Sequence, residues 1–276
     1  LTDNEPTVTA GAGVAVDARF AAIERLYGIG SANVLGGLRV CVVGIGGVGS
    51  WAAEALARTG VGSITLIDHD DVDLGNVNRQ LHALSATLGY PKVELMRERI
   101  AGINPRCVCT AVDDFLTTTT LDKYLLADYD YVIDAIDSIK FKAAMIARCK
   151  RTKIPIVTTG GAGGRTDPTA IEVADLSRTW NDALAAKVRS RLRAEYGFTK
   201  NPKRRFGVEC VFSTQQPVYP KENGSVSYRK PGIHGVSLDC QFGYGSASFV
   251  TASFGFTAAS RVVNRSLVRA GVEVVG

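Results

Sequence analysis

Short apolar runs separated by segments of helical spacing organise the first 160 residues. The runs are 38–43, Ser63–Asp68, 107–112, Tyr131–Asp134 and 154–159. Near-continuous apolar stretches of this length read as strands buried on both faces. Between them, Gly49–Arg58, Lys92–Ile103 and 141–150 place apolar or small residues at helical intervals. Glu54 and Arg58 form a favourable i,i+4 pair on the first of these helices, and Gly60 stops it. Strands joined by helices imply right-handed crossovers, so the pattern predicts an α/β fold: a Rossmann-like, mainly parallel sheet flanked by helices.

After Thr159 the pattern changes. A glycine-rich turn at 160–164 precedes an expected strand at 170–174. Asp182 then caps a basic helix that runs to Tyr196 and is closed by Gly197. Further strands are expected at 208–213 and 225–228, and a last helix at 249–268. With no linker or repeat in view, the chain reads as a flexible segment 1–18 and a single domain 19–276. Within that domain, 19–159 would bind a nucleotide, and 160–276 would extend it with a substrate face and a dimer interface.

Composition alters this picture little. The chain has 276 residues, 46% hydrophobic and 21% charged, with a net charge of +5. That excess is compatible with a polyanionic partner without requiring one. Six cysteines lack any C-x-x-C spacing, which argues for reduced thiols in the cytoplasm and against a structural zinc site. The N-terminal 16 residues carry no basic region followed by an apolar core, so no secretory leader is expected. Residues 241–260 carry no charge over a length that would span a bilayer. Their Gly, Ser and Thr content favours a buried or subunit-interface segment over peripheral membrane contact.

The chemistry begins at Gly44-Ile-Gly-Gly-Val-Gly-Ser50, directly after the first strand and opening a helix. Such a turn brings backbone N–H groups and a helix N-terminus to a phosphate. Asp68 ends the next strand, where it can meet a ribose. The loop from Asp68 to Gln80 then gathers acids, amides and Arg79. Lys92 opens a helix, and Asp137 follows the fourth strand. In an open parallel sheet these strand ends line one crevice. Arg79 and Lys92 there suit a triphosphate, and Asp137 suits Mg²⁺. A nicotinamide site needs no such clamp.

Together, Gly44–Ser50, Asp68, Asn76-Val-Asn-Arg-Gln80, Pro91-Lys92 and Asp134-Ala-Ile-Asp137 resemble the adenylating domain of the ubiquitin-activating-enzyme superfamily. Arg25-Leu-Tyr-Gly28, the run from Val43 to Gly60, 157–164 and Cys210-Val-Phe-Ser-Thr214 are similar to its threonylcarbamoyladenosine dehydratase branch, over nearly the whole chain beyond residue 18. The resemblance implies a homodimer that uses ATP and Mg²⁺ to convert a threonylcarbamoyl-modified adenosine beside the tRNA anticodon into its cyclic form. It implies ATP contacts at Gly44, Gly46, Gly47, Gly49 and Ser50, and at Asp68, Asp70, Asn76 and Gln80. Catalysis would rest on Arg79, Lys92 and Asp137, with Asp137 on the metal. Relatives supply an arginine finger from a partner subunit, a role open here to Arg19 or Arg25.

The tRNA would meet Arg189, Arg193, Lys203, Arg204 and Arg205 on the basic helix and the segment after it, although a solvated helix face also explains such charges. Cys210 and Cys240 are candidates for a reactive thiol, with a structural role preferred for both. A bound monovalent cation and a cysteine-desulfurase or sulfur-acceptor partner stay open. The competing readings are an adenylating enzyme for a ubiquitin-like sulfur carrier and a nucleotide-binding scaffold for a sulfur-transfer partner.

Overall fold

The computed structural model describes residues 17–125, 128–221, 223–229 and 244–274. Two short helices, α1 (Ala21–Tyr27) and α2 (Ser31–Gly36), lead into strand β1 (Arg39–Val43). Then follow α3 (Gly49–Arg58), β2 (Ser63–Asp68), α4 (Lys92–Ile103), β3 (Val108–Asp113), α5 (Leu121–Tyr124), β4 (Tyr131–Asp134), α6 (Ile139–Thr152) and β5 (Ile156–Thr159). The second half adds β6 (Ile171–Asp175), α7 (Ala183–Glu195), β7 (Glu209–Ser213), a small hairpin of β8 (Tyr219–Pro220) and β9 (Val226–Ser227), and α8 (Ser248–Arg269). Helices α1, α2 and α5 span seven, six and four residues, too short to show a helical period in the sequence.

The main sheet has seven strands in the order β3-β2-β1-β4-β5-β7-β6. Every pairing is parallel except β6 with β7. The strand order reverses between β1 and β4, which opens a ligand crevice at their carboxyl ends. Strand β7 pairs with β5, Val157 opposite Glu209, so the chain beyond Thr159 continues the same sheet.

Alternation along β1 sends Val40 and Val42 to one layer and Cys41 and Val43 to the other. The first layer holds α3, α4 and α8, and the second holds α5, α6 and α7. Helix α8 packs tightly on α3. A Cβ at Gly255 would lie 2.5 Å from the Val48 carbonyl oxygen, so only glycine fits there. Residues 248–260 of the uncharged run 241–260 therefore lie in a packed helix. No helix among the described residues is long and apolar enough to cross a membrane.

Helix α8 runs against the strands. Its first turn touches the loop after β1, with Thr251 beneath Gly47. Its last turns reach the strand starts, where Arg261 and Arg265 hold Glu209 and Arg269 covers the ring of Tyr131.

Candidate functional site

The glycine loop is shaped by close backbone contacts. Gly44 has φ +86°, and a Cβ there would press within 2.9 Å of Ile136 Cγ2. A Cβ at Gly49 would lie 1.7 Å from the Gly44 carbonyl oxygen. Gly46 and Gly47 instead face side chains, Gln80 and Arg79 respectively. The first pair builds the turn, and the second leaves its rim open to an approaching group. The amides of Gly46, Gly47 and Val48 meet no acceptor among the described residues, so the N-terminus of α3 presents free donors. Ser50 is fully buried. Its hydroxyl donates to the Gly46 carbonyl at 2.7 Å and accepts from Leu81 N–H at 3.4 Å, so it braces the loop from behind.

Asp68 closes the other wall. Its carboxylate accepts from the Ile45 N–H at 2.5 Å and from the Asp70 N–H at 2.9 Å. Lys92 is buried, and its Nζ donates to Asp70 Oδ2 at 2.8 Å. A cation in the first turn of α4 opposes the helix dipole, an arrangement suited to a site where an anion arrives. The Arg79 guanidinium folds onto its own loop, donating to the Gly75 carbonyl at 2.7 Å and Asn78 Oδ1 at 3.1 Å. The Arg79 carbonyl accepts from Trp51 Nε1 at 3.0 Å. Asn76 caps the turn before it, its Oδ1 accepting from Asp73 N–H at 3.1 Å. Gln80 is buried, with an Oε1 that finds no donor among the described residues.

Asp137 stands exposed after β4, with no ion-pair partner among the described residues. The segment carrying it is held by a buried network that sequence reasoning missed. Lys142 Nζ donates to Asp134 Oδ1 at 2.9 Å and to the Ile136 carbonyl at 2.8 Å, and Thr158 Oγ1 donates to Asp134 Oδ2 at 2.6 Å. A signal was present. Lys142 occupies a helical stripe with Ile139, Ile146 and Cys149, where a lysine is out of place unless paired. A second group, Asp68, His69 and Asp70, brings three ligand-type atoms within 4.8 Å of one another.

The buried Arg165, at the glycine-rich turn after β5, was also missed. Its Nη2 donates to the Asn181 carbonyl at 2.6 Å, and burial lowers its pKa. Buried His82, near Lys92, has its pKa lowered to about 4, first by desolvation and then by that lysine's charge.

Other expected site residues lie elsewhere. Arg19 and Arg25 are exposed at the amino edge of the sheet, the opposite end from the glycine loop. Arg19 pairs with Asp17 at 2.9 Å, the neighbouring Phe20 packs on Gly60, and Tyr27 at the end of α1 donates to Asn264 late in α8. Among the described residues, neither arginine bonds to the glycine loop of its own chain.

Arg189 is half-buried and donates to Thr179 Oγ1. Arg193 lies over the Phe206 ring at 5.3 Å. Lys203, Arg204 and Arg205 are exposed, also at the amino edge. Cys210 is fully buried in β7, and burial pushes its thiol far up, which makes it a core position rather than a reactive thiol. Cys240 lies outside the described residues.

The sequence matches the ThiF family over residues 21–267. It is 53% identical over 253 residues to the tRNA threonylcarbamoyladenosine dehydratase of Escherichia coli (strain K12), covering 91% of this chain and 94% of that protein. The enzyme of the same name from Haemophilus influenzae is 51% identical over 249 residues, covering 90% and 93%. Among solved structures, E. coli tRNA N6-threonylcarbamoyladenosine dehydratase, TcdA, in complex with ATP superposes with a TM-score of 0.82. It is 50% identical, covering 94% of this chain and 99% of that one.

Proposed function

This chain belongs to the ThiF family, and from that premise we propose that it is an ATP-dependent enzyme that dehydrates threonylcarbamoyladenosine in tRNA to its cyclic form through an acyl adenylate. The observation that carries the reading is likeness along nearly the full length to dehydratases of that name, 53% identical over 91% of this chain. The carboxyl-edge crevice, with free loop amides and a buried lysine, supplies the chemistry such a reaction needs.

The threonyl carboxylate is a poor electrophile, because its oxygen leaves badly. Attack by that carboxylate on the α-phosphorus of ATP forms a C–O–P bond and expels pyrophosphate. Two anions must meet first. The free amides of Gly46, Gly47 and Val48, with Lys92 and Arg79, offset that repulsion and stabilise charge on the phosphate as the bond forms. Lys92 is poised by Asp70, and Arg79 must swing from its own loop to take part. A nitrogen of the modified side chain then attacks the activated carbonyl and releases AMP. That step is intramolecular, so the enzyme supplies alignment and exclusion of water rather than a nucleophile.

The exposed Asp137 carboxylate, a hard oxygen donor backed by the Asp134–Lys142 pair, suits Mg²⁺ and would hold it. The ion would supply further neutralisation of phosphate charge. Asp68 would meet the ribose, and Arg189, Arg193, Lys203, Arg204 and Arg205 would serve the tRNA backbone.

The working form is a homodimer. Arg19 and Arg25 lie on a segment whose contacts run to Gly60 and Asn264 rather than to the glycine loop, so either would act in the site of a second copy. Exposed Leu74, Val77, Phe249 and Phe256 lie on two segments tied by the Asn78–Ser246 hydrogen bond at 2.8 Å, and they offer an apolar face for that copy. A cytoplasmic location fits the free cysteines among the described residues and a tRNA substrate.

The test is incubation with ATP, Mg²⁺ and tRNA bearing threonylcarbamoyladenosine, followed by mass spectrometry of the nucleosides. Loss of one water with matching AMP release supports the reading. AMP released only when a small carrier protein is added would replace it with carrier adenylation.

A further inference from the structure

Two cavities open at the amino edge of the sheet, the end opposite the glycine loop. One, of ≈ 780 Å³, lies between the starts of β4, β5 and β7 and the last turns of α8, and is lined by Arg178, Arg205, Arg261, Arg265 and Arg269. The other, of ≈ 640 Å³, lies where α6 and α7 end, and is lined by Lys150, Arg151, Arg204 and Arg205. Arg205 belongs to both, so they form one basin.

Three carboxylates also line this basin, and each is already engaged. Glu209 is held by Arg261 at 2.8 Å and Arg265 at 2.6 Å. Glu195 pairs with Arg191 at 2.9 Å. Asp175 accepts the backbone N–H groups of Phe206 at 2.9 Å and Gly207 at 2.7 Å. Among the described residues, Lys150, Arg151, Arg178, Arg204, Arg205 and Arg269 form no ion pair. The Arg269 guanidinium lies over Tyr131, 5.5 Å from the ring centroid, a cation–π contact that holds it in place. So dense a set of unpaired guanidinium groups repels itself unless an anion is bound.

We propose that this basin is a second docking surface for the phosphodiester backbone of the tRNA, remote from the nucleoside that reacts. This inference rests on the tRNA substrate proposed above. Strands of up to six residues rise about 3.3 Å each, so the basin lies roughly 20 Å from the glycine loop. A mononucleotide cannot span that distance, whereas a folded RNA can. Helix α7 joins the two edges, from Asp182 beside the glycine-rich turn down to Glu195 in the basin, and exposes Lys187 on the way. The anticodon loop thus enters at the carboxyl edge while its stem follows the basic side of the protein.

The experiment is filter binding of an unmodified tRNA transcript to the full chain, between about 50 and 200 mM salt. Arg178→Gln with Arg269→Gln should raise Kd several-fold and reduce the log–log salt slope by about 1.5 to 2. Arg178→Lys with Arg269→Lys keeps the charge and should keep the slope. Lys150→Gln with Arg151→Gln, in the adjoining cavity, tests the same surface through residues of another helix. Unchanged slopes in both glutamine variants overturn the proposal. So does calorimetric binding of tripolyphosphate that the glutamine variants lose while tRNA binding keeps its slope, since that marks a pocket for a small anion. Water loss catalysed by the wild-type protein is a separate measurement, so failure of the dehydratase reading is told apart from failure of the basin.

Discussion

The Lys142 ammonium lies 2.9 Å from Oδ1 of Asp134, and both side chains are almost wholly withdrawn from solvent. The same ammonium donates to the Ile136 carbonyl, so one buried ion pair sets the path of the chain into Asp137. Lys142→Met leaves a buried, uncompensated carboxylate and should cost about 3–5 kcal/mol of stability by urea denaturation. Lys142→Met with Asp134→Asn should recover much of that loss, since neither partner is then a buried charge. Equal stability of the single and double variants would remove the coupling.

Lys92 does different work. Its ammonium is held at 2.8 Å by the half-exposed Asp70, which can release it to a phosphate. Lys92→Ala should lower the rate of AMP formation by about 10²–10³-fold while the circular dichroism spectrum stays native. A rate near that of the unaltered protein would remove Lys92 from the phosphate clamp.

The four loop glycines divide into two kinds. Gly49→Ala forces a Cβ onto the Gly44 carbonyl and should cost at least about 1–3 kcal/mol in thermal or urea unfolding. Gly46→Ala meets nothing closer than Gln80 Nε2 at 3.7 Å, so it should fold normally and bind ATP at least about tenfold more weakly. Normal nucleotide affinity in Gly46→Ala would show that phosphate does not approach that rim.

Arg25 and Lys92 belong to opposite edges of the sheet. If Arg25 serves the partner's site, Arg25→Ala and Lys92→Ala proteins are each inactive alone. Mixed and re-equilibrated, they should regain about a quarter of full activity, because half the dimers then hold one intact site. Failure of the mixture to recover would exclude Arg25, and the same test with Arg19→Ala decides for the other arginine.

His82 sets an acid limit. Its folded-state pKa is lowered to about 4 from an ordinary value near 6.5, so below 6.5 the unfolded chain takes up the proton first. Stability is complete above pH 6.5 and falls as pH drops toward 4, by up to roughly 3 kcal/mol. His82→Gln should flatten that part of the stability–pH curve, and an unchanged slope would assign the acid loss to other groups.

The local code of this chain was legible at once. The ends of Gly49–Arg58, Ser63–Asp68, Lys92–Ile103 and Tyr131–Asp134 coincide in pattern and structure, because glycine stops, caps and strand-length apolar runs are short-range properties. The glycine loop, Asp68 and Lys92 stood out as candidates because each sits at the end of such an element. Strands at 170–174 and 208–213 also follow from the pattern, but that β6 lies antiparallel at the outer edge and β7 beside β5 does not, since a strand's neighbours are chosen by long-range pairing.

The burial of charge was not legible for the same reason. The sequence of Arg189, Arg193 and Arg204 says nothing of burial, and in the structure Arg189 donates to Thr179 and Arg193 lies over Phe206, while Arg204 is exposed and Arg261 and Arg265 brace Glu209. The sequence alone determined the parallel α/β architecture and the nucleotide loop. Only the tertiary structure decided which cations among the described residues are unpaired, that Lys142 supports the segment carrying Asp137, and that the segment of Arg19 and Arg25 packs on Gly60 and Asn264. Those outcomes depend on distances between segments far apart in sequence, which burial and packing set.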